Sequence, residues 1–254
     1  MFWISLLLMI AGFVGIVICK KKQKTNPNAQ ALAFVFLVLI LIGAGGFLYD
    51  NMGGGEEKSL LASEARFASA KSGKIAAEVK KIAAGKKVVI IIGSEHNTDE
   101  ISKASLAAAE AALEGCTIVK ELLPLEANST EPMEMQVNDK IYNPIFDRHK
   151  DAAAFVIMAQ LPMDRKMIAR LSAFRSSSKA KIALVSGEAG EYGLYLQNQK
   201  VVAAALSKTD KAALDFDKKA PKDPEAAFNV RFVLVTPANL KEIYGKYKDQ
   251  FVNR

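Results

Sequence analysis

The chain has 254 residues, half of them hydrophobic, with 34 lysines and arginines against 27 acidic residues. Four of the basic residues, Lys20, Lys21, Lys22 and Lys24, precede every acidic one, so the rest of the chain sets 30 basic against 27 acidic residues. A nucleic-acid footprint needs Lys and Arg concentrated along one face; here they alternate with acids, and nucleic acid is excluded as an expected partner.

Phe2 to Cys19 is an uncharged apolar run just long enough to span a bilayer core as a helix, and Ala31 to Tyr49 is a second. The segment between them carries all four early lysines and Pro27, whereas Asp50, Glu56 and Glu57 follow the second run. Because cytoplasmic loops are enriched in lysine and arginine, residues 20–30 are expected inside. This predicts a two-pass protein of the cytoplasmic (inner) membrane, with the N-terminus and everything after Asp50 outside. A signal peptide is the rival for the first run, but its positive charge should precede the apolar core, and here it follows. Ile16-Val17-Ile18-Cys19 faintly resembles a lipoprotein box, from which the isoleucine before the cysteine and the lysines after it depart. Gly12, Gly15, Gly43, Gly45 and Gly46 could let the helices approach closely. The reading preferred is that glycine is simply common in such helices.

Met52-Gly53-Gly54-Gly55 reads as a flexible joint. Glu56 to Ala84 is rich in Ala, Lys, Glu and Ser and predicts a helix with an intermittent apolar stripe. Without sustained heptads it is read as a spacer whose last turns pack on the following domain, ahead of a helix that pairs with a partner or a second copy. The expected organisation is a membrane hairpin (1–50), a linker and stalk (51–86) and an α/β domain (87–254). Oligomers could form through the stalk or the membrane helices. Cys19 and Cys116 fall in different parts of the fold, so no disulfide and no metal framework is expected.

Val88 to Ile92 is a run of β-branched residues without alternation, as in a strand buried on both faces of a parallel sheet. After Gly93 and a polar loop, Asn97 or Thr98 is expected to cap a helix that ends at Gly115, with Asn97 and Glu100 at capping-box spacing. The alternation continues with strands over 117–123, 152–159, 181–185, 201–206 and 230–235. Helices are expected over 140–150 (interrupted at Pro144), 163–175, 191–199 and 238–251. Ser207 to Asn229 breaks the rhythm, as an edge crossing or a surface excursion. The whole predicts a doubly wound, mostly parallel sheet of about six strands, Rossmann-like or flavodoxin-like.

HKDAAAFVIMAQLP, KIALVSG, KVVAAALSK and FVLVTPANLKEI, in that order, resemble the first lobe of type 1 periplasmic sugar-binding proteins. The resemblance implies a ligand cleft at the strand ends. A member of that family closes two lobes over its sugar, and this chain has residues for one, so a half-cleft is expected.

In open α/β sheets ligands bind beyond the carboxyl ends of the strands. The candidate ligand-binding residues are therefore Ser94, Glu95, His96, Gln160, Ser186, Glu188, Ser207 and Thr236. Polar residues at strand ends are also what any loop contains, and that reading is the more frequent one. His96, beside Glu95 and Asp99, could act as a base or a metal ligand, but no catalytic or metal spacing accompanies it, and it is expected to be a solvated loop residue. Gly187, Gly190 and Gly193 in GEAGEYG match neither a dinucleotide fingerprint nor a P-loop, so no cofactor is expected. Phe146, Phe155, Phe174 and Phe232 read as core, and the acceptor pattern Asn128-Ser129-Thr130 is too common to interpret. The function expected is a membrane-anchored, non-catalytic module binding a partner protein or small polar ligand. The alternatives are an enzyme using Ser94, His96 and Glu188, and a structural component of an envelope assembly.

Overall fold

The computed structural model describes residues 2–23, 28–51, 54–125, 132–210 and 219–251. Pro27, Met52-Gly53, the 128–130 pattern and the middle of the 207–229 segment lie outside the described residues. The chain forms two compact units, Met1–Leu60 and Leu61–Arg254.

In the first unit, α1 (Phe2–Lys22) and α2 (Ala29–Asn51) pack on each other. Over Ile4–Lys22 and Ala29–Leu48 they are long and apolar enough to cross a membrane. Four of the five glycines lie in their contact, contrary to the expectation that they are incidental. A Cβ at Gly43 would fall 2.8 Å from the Ser5 carbonyl oxygen, and one at Gly12 2.9 Å from that of Phe36. Gly15 faces the Phe36 ring and Gly46 the Ser5 hydroxyl, while Gly45 faces open space. In lipid, where apolar surface has no water to escape, backbone approach of this kind is what holds helices together.

The second unit is built on β1 (Lys87–Ile92). Helix α3 (Gly54–Ala83) precedes β1, and from Gly93 the chain makes a 3-10 turn. After α4 (Glu100–Ala112) come β2 (Thr117–Leu122), the single-turn α5 (Met133–Gln136), α6 (Asp139–Arg148) and β3 (Ala154–Ile157). Then follow α7 (Arg165–Arg170), β4 (Lys181–Leu184), α8 (Gly193–Gln197), β5 (Val201–Ser207), α9 (Pro224–Arg231), β6 (Phe232–Val235) and α10 (Leu240–Lys246). The six strands form one sheet in the order β2-β1-β3-β4-β5-β6, parallel except for β6.

Both faces are covered. Val89, Ile91, Phe155, Ile157, Ile182 and Leu184 share a core with α6, α7, α8 and α10. Val88, Ile90, Ala154, Val156, Ala183 and Ala203 share the other with α3, α4 and α9. The steps from β2 to β3, β4 and β5 all put their helices on the first face, and of the crossovers between parallel strands only the one from β1 to β2 covers the second. The part of the second face over β3 to β5 is therefore left for other elements. Helix α3 takes much of it: Phe67, Ala70, Ile75, Ala76, Val79 and Ala83 are buried there. The expected spacer is thus packed from Ser63 to Ala83 rather than by its last turns alone, and burying an aromatic or aliphatic side chain contributes about 1.5–3 kcal/mol.

Four local expectations are corrected. Asp99 caps α4 by accepting from Ser102 N at 2.7 Å, rather than Asn97 or Thr98. Helix α6 continues through Pro144. The expected 163–175 helix stops at Leu171, because Asn143 of α6 accepts from Ser172 N at 2.7 Å and donates to Arg170 O, replacing the bonds that would continue it. The passage before residue 230 contains α9, capped by Asp223 with Pro224 in its first turn. Strand β6 is antiparallel because α9 hands the chain back at the end where β5 stops: Lys208 N donates to Arg231 O at 2.7 Å.

Candidate functional site

The carboxyl ends of β1, β3 and β4 surround a cleft of about 480 Å³, within the range of small-molecule sites. β1 has β2 on one side and β3 on the other, and the helix that follows β1 lies on one face while the helix that follows β3 lies on the other, which parts the loops at this point. Glu95, Gln160, Arg165, Ser186, Glu191 and Tyr192 are among the residues that line the cleft.

Each is held by local chemistry. Gly93 ends β1 with no side chain, and the Glu95 carboxylate folds back over the space a Cβ there would fill. Ser186 donates its hydroxyl proton to Ala159 O at 2.6 Å, tying the β4 end to the β3 end. The Tyr142 phenol donates to Gln160 O at 2.6 Å, which fixes the loop after β3; burial first, and then the negative charges nearby, push that phenol above its ordinary pKa. Asp164 caps α7 through Lys166 N and sets Arg165 at the mouth. Gly187 has φ +82°, a conformation that turns the chain from β4 back over Tyr192. Gly190 admits the Gln250 carbonyl into the space of a Cβ.

Three of the residues expected from sequence, Glu95, Gln160 and Ser186, line the cleft. Ser94 and His96 share the Glu95 turn, Ser94 exposed and His96 buried. His96 is thus not the solvated loop residue expected, because the 3-10 turn points it inward at 7 % exposure. Its Nδ1 lies 3.2 Å from Glu95 Oε1, within ion-pair range but without hydrogen-bond geometry, and has no other partner. Glu188 and Ser207 bind each other beside the cleft: Ser207 N donates to Oε2 at 2.7 Å and Ser207 Oγ to Oε1 at 2.6 Å. Thr236 lies at the opposite end of the sheet, since β6 runs antiparallel and ends where the other strands begin. It lines a separate, lysine-rich concavity there with Lys86, Lys150 and Lys179.

Arg165, Glu191 and Tyr192 were not among the sequence candidates. A signal existed for Arg165, which follows the LPMD loop at the end of a strand. Glu191 lies inside the GEAGEYG turn, where no spacing singles it out. Neither Arg165 nor Glu191 makes an ion pair or a side-chain hydrogen bond with a described residue, and both reach solvent at the rim of the cleft. Among the described residues, no three His, Cys, Asp or Glu side chains are grouped to hold a metal ion. The Ser186 and Ser207 hydroxyls give their protons to a carbonyl and a carboxylate respectively. The arrangement can orient a small molecule by charge and hydrogen bonds.

No family model matches the chain, and no curated protein or solved structure matches it.

Proposed function

We propose that the chain is a membrane-anchored, extracytoplasmic α/β module whose second unit holds a small polar ligand, without chemistry, at the carboxyl ends of β1, β3 and β4. The observation that carries this reading is the cleft in which Glu95, Arg165 and Glu191 converge with Gln160 and Ser186. Strand order supports a doubly wound, flavodoxin-like sheet: 2-1-3-4-5 is the order of that class, whose ligands bind at the point between its first and third strands. The order and coverage also agree with the resemblance to one lobe of the type 1 periplasmic sugar-binding proteins. A single lobe leaves the cleft open on one side, which suits weak, reversible capture. The orientation rests on the lysines between the two apolar helices.

The test is a thermal-shift screen of the full chain in detergent micelles against sugars, polyols and amino acids. A ligand that stabilises the wild type should lose its effect in Glu95→Gln, because a bound ligand stabilises only the state that binds it. A panel in which no compound stabilises the protein, or in which Glu95→Gln responds like the wild type, overturns the reading. A reporter fused after Arg254 should be active if it works only outside the cytoplasm.

A further inference from the structure

Beside the cleft, and sharing Arg165, Ile168 and Glu191 with it, lies a smaller chamber of about 220 Å³. Its other walls include Leu194, Tyr195, Tyr244 and Phe251. The aromatic rings are fixed by one another: Tyr244 and Phe251 meet edge to face at 5.3 Å, and Tyr195 meets Phe174 at 5.0 Å. Gly193 and Gly190 let the segment around Phe251 approach, with Gly190 against the Gln250 backbone. Burial pushes the Tyr195 phenol above its ordinary pKa, so this wall stays uncharged.

From this we infer that the ligand is a free α-amino acid with a large apolar or aromatic side chain. The inference rests on the cleft reading above and names the ligand class of that cleft. Arg165 and Glu191 stand at the junction of the polar cleft and the apolar chamber, each unpaired. A guanidinium takes a carboxylate through two parallel hydrogen bonds. A carboxylate such as Glu191 or Glu95 takes an ammonium. The two charged groups of an amino acid sit on one carbon, which suits a cation and an anion lining one cleft, and its side chain leaves that carbon in a third direction. A chamber of 220 Å³ is large enough for a phenyl or isobutyl group, since a cavity of about 150 Å³ lined by apolar side chains accepts benzene. A neutral sugar offers no charged group to either Arg165 or Glu191.

The experiment is calorimetric titration of the full chain in micelles with four probes. L-phenylalanine should bind. L-phenylalaninamide (no carboxylate), N-acetyl-L-phenylalanine (no ammonium) and glycine (no side chain) should each bind on the order of tenfold more weakly or worse, as when a site built for a group meets a ligand lacking it. Arg165→Gln should abolish the preference for phenylalanine over its amide, and Glu191→Gln the preference over its N-acetyl form. Equal binding of phenylalanine and its amide overturns the inference. If phenylalanine does not bind but another polar compound stabilises the wild type and not Glu95→Gln, the amino-acid assignment falls and the cleft stands. If no probe and no compound of the wider panel binds, both fall.

Discussion

Glu188 and Ser207 satisfy each other completely: one carboxylate oxygen accepts from the Ser207 backbone N–H and the other from its hydroxyl, at 2.7 and 2.6 Å. Two residues that sequence position nominates as ligands are therefore a clasp between the loop after β4 and the end of β5. Hydrogen bonds to a charged acceptor contribute about 1.5–3 kcal/mol, and removing the acceptor strands both donors. Glu188→Ala should lower stability by about 2–3 kcal/mol in urea unfolding, with ligand affinity in the folded protein unchanged. A large loss of affinity at unchanged stability would return Glu188 to the site.

Phe67 is 2 % exposed, and its ring carries the Arg231 guanidinium 3.7 Å above it, while Arg231 also binds Glu64 at 2.6 Å. If α3 is a domain helix, Phe67→Ala should destabilise the second unit by about 3–5 kcal/mol, the cost of a large core truncation. Leu61, largely exposed on the same helix, should cost little when truncated. Urea unfolding followed by circular dichroism distinguishes them, and equal, small effects would mean a spacer.

A second clasp sets an acid limit. Glu121 on β2 accepts from Arg148 at 2.9 Å and lies 2.6 Å from His149 Nε2. Burial by itself would raise the Glu121 carboxyl, but the hydrogen bonds from His149 and Arg148 outweigh it and hold the group below the usual carboxylate range. A carboxyl whose folded pKa is depressed contributes stability that is present above its unfolded value of about 4.3 and is lost as pH falls through the folded value. Stability measured from pH 7 downward should therefore fall below about pH 4.3, and Glu121→Gln should be less stable at neutral pH with a shallower acid slope. An unchanged slope in the variant would assign the acid sensitivity elsewhere.

How far the chain could be read before its fold was known depended on whether the deciding contact was local. Val88 to Ile92 reads as a strand buried on both faces because it is an unbroken β-branched run between turn signals, and the alternation of such runs with helical stretches located the other parallel strands. The cleft followed from strand ends, which brought Glu95, Gln160 and Ser186 with it. What escaped depended on partners distant in sequence. Asn143 ends the helix after β3 from another helix. The direction of β6 is set by α9, and with it the position of Thr236. The role of α3 follows from which face the crossovers leave bare, a property of the whole sheet. His96 is buried by a turn whose sequence, SEHN, is polar throughout.

The first unit makes its own prediction. Gly43→Leu would drive a side chain into the Ser5 backbone carbonyl, whereas Gly45→Leu meets open space. In an SDS titration followed by circular dichroism, the first should unfold at lower SDS than the wild type and the second close to it. Equal behaviour of the two variants would remove the glycine contact from the account.

The central claim is that ligand sits between the ends of β1, β3 and β4, and hydrogen-exchange mass spectrometry of the full chain tests it most directly. With the tightest-binding compound of the panel at saturation, amides in 93–97, 158–165 and 186–192 should be protected together. Protection confined to the lysine-rich end around Lys86, Lys150 and Lys179, or none in those three segments, would contradict it.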